Sequence, residues 1–228
     1  MNKLLDQLRH NDWTLLVSLP RNDVRLAEAA IRGGAQGLKI HLNVEHHASG
    51  TKFGSWEEEQ ENIARIVEAA GEVPVGIVPG GSPFATQSEF KAMSEAGIDF
   101  FDAYPADAPA WTLEQKDLNV MLAAFAGGTV EEVGALEQLG MEMCEASIVA
   151  QSDYGRELTA LDLARYMDLS FFLDEAPIIV PSQKQIRPNE VPALQKTGVK
   201  GVLIGAIVTG REPDTLEAAT RAFRDAAE

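Results

Sequence analysis

Residues 176–210 read APIIVPSQKQIRPNEVPALQKTGVKGVLIGAIVTG. The apolar run Pro177–Val180 has strand character, and a polar turn carries the chain into a helical stretch, Glu190–Lys196. Gly198 then stops the helix, because a left-handed residue lets a helix end feed the next strand. A second apolar run, Gly201–Ile204, follows and ends at Gly205. The segment is therefore strand, helix, strand, with punctuation at each junction.

The same unit recurs outward from this segment. Strand-like runs are expected at Thr14–Leu19, Gly37–Leu42, Val73–Val78, Ile98–Ala103, Asn119–Phe125, Met141–Ile148, Pro177–Val180 and Gly201–Ile204. Helices are expected at Asn22–Ile31, Trp56–Ala70, Gln87–Ala96, Val130–Leu139, Ala160–Leu169, Glu190–Lys196 and Pro213–Ala227. EAGIDFF and QLGMEMC repeat the glycine stop of KTGVKGVLIG. Strand starts 21–36 residues apart match one strand–helix unit each. Eight such units predict an α/β fold, a (βα)8 TIM barrel in one domain spanning 1–228. The alternative, an open doubly wound sheet, lacks a GxGxxG after its first strand.

Composition sets the outer limits. The 228 residues are 45% hydrophobic and 24% charged, ordinary for a globular chain. Nineteen Lys and Arg against 35 Asp and Glu give a net charge of −16. No basic face is visible for nucleic acid, and an anionic membrane surface would repel the chain. The one cysteine, Cys144, forms no internal disulfide and no zinc spacing, which fits a cytoplasmic location. MNKLLDQLRHNDW lacks the apolar core of a signal peptide. Apolar residues on helix surfaces leave a homo-oligomer open.

In such a barrel the chemistry sits at the carboxyl ends of the strands. Strand two reads GLKIHLN, which places Leu38, Ile40 and Leu42 on one face and Lys39, His41 and Asn43 on the other. The polar face must then point into the barrel, where an unpaired charge is costly. Lys39 and His41 are expected catalytic groups and Asn43 a substrate contact, with a buried Lys39–carboxylate pair as the structural alternative. The following loop, VEHHASGTKFGS, is long and polar and has the character of a lid. Its Glu45, His46 and His47 are the residues a metal would use, although no metal or other cofactor is expected. Asp102 on strand four shares a face with Tyr104. On strand six Glu145 shares one with Ser147, while Cys144 reads as packing. Asp102 and Glu145 are expected to move protons, and Ser147 to contact the substrate. Tyr154 and Arg156 are within reach of the mouth as clamps, or simply begin a helix.

The 176–210 segment also has the layout of a phosphate site. A short helix after strand eight would aim free N–H groups at a dianion, and Gly205 has no side chain to obstruct it. Gly205, Ala206 and Lys184 are the expected phosphate ligands.

From strand seven onward the chain resembles the ribulose-phosphate-binding barrels, whose strand eight reads GVLVG where this one reads GVLIG. Across its length it looks most like N-acylglucosamine-6-phosphate 2-epimerases, through GGAQGLKI, NIARIVEAAGEVPVGIVP, SEAGIDFFDA, TVEEVGALEQLGMEM and KTGVKGVLIGAIVTG. That family carries a lysine just after the GIV of strand three, where this chain has Pro79. Its strand-seven glutamate is replaced by Pro181 and Ser182, its strand-two arginine by Lys39, and its strand-seven glycines by Gln183, Lys184 and Gln185. The resemblance implies a phosphosugar isomerase or lyase acting on a small phosphorylated metabolite. Two alternatives are a barrel that binds a phosphorylated ligand without catalysis, and a metal-dependent phosphosugar epimerase using His41, Glu45 or His46, and Asp102.

Overall fold

Gly97, Gly140 and Gly198 have φ of +94°, +115° and +85°, the left-handed conformation expected of the glycine stops. Each ends a helix that leads into a strand. The computed structural model describes residues 2–227. Its strands are β1 (Thr14–Ser18), β2 (Gly37–His41), β3 (Val75–Val78), β4 (Phe100–Ala103), β5 (Asn119–Phe125), β6 (Met143–Ser147), β7 (Ile178–Pro181) and β8 (Gly201–Ile204). All eight pair in parallel, each with its sequence neighbour, and β8 closes on β1 through Thr14↔Gly201 to Val17↔Ile204. The chain is a (βα)8 barrel.

The helices are α1 (Lys3–His10), α2 (Val24–Arg32), α3 (Trp56–Ala70), α4 (Gln87–Glu95), α5 (Val130–Gln138), α6 (Ala160–Phe172), α7 (Val191–Gln195), α8 (Ala206–Thr209) and α9 (Pro213–Asp225). Helices α3 to α6 each begin with a capping box, on Ser55/Glu58, Thr86/Glu89, Thr129/Glu132 and Thr159/Asp162. This reciprocal bonding satisfies N–H groups that the first turn leaves open.

Strands β3, β4 and β6 begin two residues later than expected. The amides of Val73, Ile98 and Met141 bond back to Ala70, Met93 and Leu136, so these residues complete the helix ends. Leu38, Ile40 and Leu42 face the helices, as the alternation of β2 requires.

Helix α1 and a hairpin of Glu45–His46 with Thr51–Lys52 inside the lid loop were not expected from sequence, whereas the short helix expected after strand eight is α8. Helix α1 closes the amino-terminal end of the barrel. Its Leu4, Leu5 and Leu8 pack with Leu16, Phe100, Met121 and other interior side chains. The Asp99 carboxylate accepts the N–H groups of Lys3 and Leu4 at 3.0 and 2.9 Å, which anchors the start of the helix. Beneath this plug Gly76 gives Phe100 its space, since a Cβ there would lie 2.0 Å from the ring. The lower half of the barrel is thus solid packing, and polar side chains collect at the other end.

Candidate active site

Barrel interiors are filled in layers supplied by alternate strands. In this chain the even strands β2, β4 and β6 put Lys39, Asp102 and Glu145 into one layer, all buried. Lys39 Nζ donates to Asp102 Oδ2 at 2.6 Å and also to Glu145 Oε2. Ser147, two residues on and therefore on the same face, donates its hydroxyl to Glu145 Oε1 at 2.6 Å.

The charges in this cluster follow from its dryness. Burial alone would depress the Lys39 ammonium, but the two carboxylates outweigh it and hold the proton on. Burial likewise opposes ionisation of Glu145, yet Lys39 and the bonds it receives push its pKa down to about 2. Asp102 is driven well above the usual carboxylate range, first by burial and then by the charge of Glu145. One ammonium can neutralise one carboxylate, and a second negative charge in the same low-dielectric layer is unfavourable. The proton is thus favoured on Asp102 and the charge on Glu145, and Asp102 Oδ1 has no hydrogen-bond partner.

These groups form the floor of a cavity of about 500 Å³ at the carboxyl ends of the strands. Its walls include His41, His46, Tyr104 and Tyr154. The His41 ring lies 4.4 Å from His46 and 4.8 Å from Phe53. Burial holds His41 neutral, far below its usual pKa, and its Nδ1 has no partner. A smaller side chamber of about 80 Å³ shares Lys39, Glu145, Ser147, His46 and Tyr154 with the main one. It extends to Ser18, Ser182 and Gly205 at the ends of β1, β7 and β8.

The expected residues divide into two sets. Lys39, His41, Asp102, Glu145 and Ser147 come together at the mouth. Gly205 lines the side chamber, but its N–H is already donated to Ser182 Oγ at 2.8 Å. Ala206 begins α8, a single turn, and does not line that chamber. Lys184 turns away from the barrel axis toward α6, where its ammonium lies 3.5 Å from Asp162 on the wall of a separate cavity of about 630 Å³. Asn43 lines neither mouth chamber. It takes a left-handed conformation (φ 53°) and donates to the Pro79 carbonyl at 3.4 Å, which turns the chain out of β2. Arg156 pairs with Asp153 at 3.0 Å and is exposed, whereas Tyr154 lines both chambers. Among the described residues, no group of three His, Cys, Asp or Glu side chains is gathered in a way that would hold a metal ion.

Ser18 and Ser182 are site residues that the sequence reading passed over. The alternation of TLLVS places Thr14, Leu16 and Ser18 on the inner face, so Ser18 was legible in the same way as Lys39. Ser182 carried no such signal, because its role depends on where β8 delivers Gly205.

Fold and site together define a (βα)8 barrel with ionisable groups in its mouth. Solved structures with the same fold include a thiamine phosphate pyrophosphorylase from Pyrococcus furiosus, with 14% identity and a TM-score of 0.68 over 95% of this chain and 96% of that one. A tryptophan synthase from M. tuberculosis matches with 14% identity and a TM-score of 0.72, covering 99% of this chain and 96% of that one. The tryptophan synthase alpha-subunit of Pyrococcus furiosus gives 10% identity and a TM-score of 0.68 over 94% and 98%. No family model matches the chain. No curated protein matches it either. Among the described residues no helix is long and apolar enough to cross a membrane.

Proposed function

We propose that the protein is an isomerase or lyase that moves a proton next to a carbonyl group in a small phosphorylated sugar or related hydroxy-carbonyl compound. One observation carries this reading: two interior carboxylates, one pushed toward its protonated form and one toward its anion, flank a single lysine at the floor of an open cavity. A base and an acid whose environments drive their pKa values apart are the equipment for such a transfer. Glu145 takes the proton from the carbon beside the carbonyl, and the electron pair moves onto the carbonyl oxygen. Lys39 stabilises that charge as an ammonium. Asp102 returns a proton, either to the oxygen or to the neighbouring carbon. A Schiff base on Lys39 is disfavoured, because two carboxylates hold its amine protonated and a protonated amine is no nucleophile.

The phosphate belongs to the same proposal. With the Gly205 amide engaged, the hydroxyls of Ser18 and Ser182 are the donors available in the side chamber, and Lys39 lies at its border. The resemblance to the epimerases supports the substrate class. The absence of their lysine and glutamate from the expected positions means that the acid–base pair here is a different one. The same absence supports a second reading, a barrel that binds a phosphorylated ligand without turning it over.

Incubation in D₂O with ribulose 5-phosphate, fructose 6-phosphate and dihydroxyacetone phosphate separates the two. Deuterium entering the carbon beside the carbonyl, seen by NMR and lost in Glu145→Gln, supports proton transfer. Binding of any of these compounds without exchange supports the second reading. Thermal shifts against phosphorylated and unphosphorylated pairs test the phosphate: a ligand at about 100 times its Kd stabilises by about 2.7 kcal/mol.

A further inference from the structure

We propose that Tyr154 donates its phenolic hydrogen to the substrate oxygen that gains negative charge, and that Gln183 is the positioning residue that frees this hydrogen. The assignment rests on the proton-transfer reading above.

Gln183 is buried, and its amide can be oriented without ambiguity. The backbone N–H of Val149 points at one end of it at 3.1 Å; an N–H only donates, so that end is the carbonyl oxygen. The other end is then the NH₂ group, and it donates to Tyr154 Oη at 2.6 Å. The main chain around it is equally fixed, since Gly155 N–H donates to the Gln183 carbonyl at 2.8 Å. Gln183 therefore grips the segment on both sides of Tyr154.

A phenol oxygen that accepts a hydrogen bond keeps its own O–H to donate. Accepting one also strengthens the donation, because bonds in a chain polarise one another. Tyr154 lines both the main cavity and the side chamber, where Lys39, Glu145 and Ser147 also lie. The Tyr104 phenol is a further hydrogen-bond partner of Tyr154 and acts as the donor; burial first, and this bond with it, raise the Tyr104 pKa, so the Tyr154 hydrogen is left for the junction of the two chambers.

The charge balance gives this hydrogen a task. An ammonium has three donors, and Lys39 uses two of them on Asp102 and Glu145. One remains for a developing oxyanion, and the surrounding cluster is neutral overall. Sites that stabilise such an oxygen aim fixed donors at it, and Tyr154 is placed to be the second.

The test uses two variants that keep the side-chain packing. Tyr154→Phe removes the O–H but leaves the ring that His47 meets edge-on at 5.4 Å. Gln183→Glu keeps the phenol but replaces the donor with an acceptor, which turns the phenolic hydrogen away from the cavity. Calorimetric titration would use phosphoglycolohydroxamate, an enediolate-like probe, with inorganic phosphate as the control. Both variants are expected to weaken hydroxamate binding by about 10- to 100-fold, in keeping with the loss of one oxyanion donor, while phosphate binding stays within about twofold. Unchanged hydroxamate binding in both variants overturns the assignment alone. Equal loss of hydroxamate and phosphate also overturns it, since the tyrosine would then only hold the loop. An unmodified protein that does not bind the hydroxamate overturns the proton-transfer reading and this assignment with it.

Discussion

Asp102 and Glu145 reach the same Lys39 ammonium from β4 and β6, yet their surroundings push Asp102 toward its protonated form and Glu145 toward its anion. The asymmetry has a local cause. Glu145 also accepts the Ser147 hydroxyl, whereas Asp102 Oδ1 has no partner, so the anion is favoured on the better hydrogen-bonded carboxylate.

Substitutions by the neutral isosteres should therefore have unequal effects. Asp102→Asn replaces a group that is already neutral and is expected to change stability by less than about 1 kcal/mol. Glu145→Gln removes the carboxylate that accepts both Lys39 and Ser147, so Asp102 must ionise to balance the ammonium, and the variant is expected to cost more, about 1–3 kcal/mol. Urea unfolding at pH 7 measures both. Equal losses would show that the charge is shared.

Stability should fall as the medium is acidified from pH 6.5 toward 4. Burial, and then the nearby Lys39 charge, lower the pKa of His46 to about 4, against 6.5 when unfolded. Between these values the unfolded chain binds a proton that the folded one does not, so stability rises with pH. The slope from one such group is about 1.4 kcal/mol per pH unit, and His41 adds to it in the same direction. His46→Gln should flatten the dependence of Tm on pH over this window. A variant with the unmodified slope would place the titration elsewhere.

Lys184→Met should lower stability without touching ligand binding at the mouth. Its ammonium neutralises Asp162, and both side chains are buried, but Lys184 lines neither chamber of the site. Removing it leaves the buried Asp162 carboxylate held only by its Thr159 capping bonds, at a cost of about 1–3 kcal/mol. Phosphate binding by calorimetry is expected to stay within about twofold, and a tenfold loss would return Lys184 to the phosphate site.

Leu8→Ala tests whether α1 is structural. The side chain is fully buried against the interior layer of the barrel. Truncation of such a leucine costs about 2–5 kcal/mol. Chemical denaturation should show this loss, while the mouth, at the opposite end, keeps its ligand affinity. A loss below about 1 kcal/mol would mean that the helix packs more loosely than its burial implies.

Local order along the chain determined most of the architecture. Alternation in GLKIHLN places Lys39 and His41 inside because a strand has a period of two, and the glycine stops at 97, 140 and 198 mark where helices yield to strands. The S/T-x-x-D/E capping boxes before α3 to α6 were equally legible and would have sharpened those boundaries. What the order of residues could not supply was the meeting of distant ones. Asp102 and Glu145 lie 63 and 106 positions from Lys39, and only barrel closure brings the three into one layer. The same holds for Ser182, which takes the Gly205 amide assigned to a phosphate, and for Lys184, which the β7 turn directs at Asp162. Hydrogen-bond donors and charges settle on whichever partner lies within about 3 Å, and that distance is set by the packing of β7 against β8 and α6, not by position in the chain.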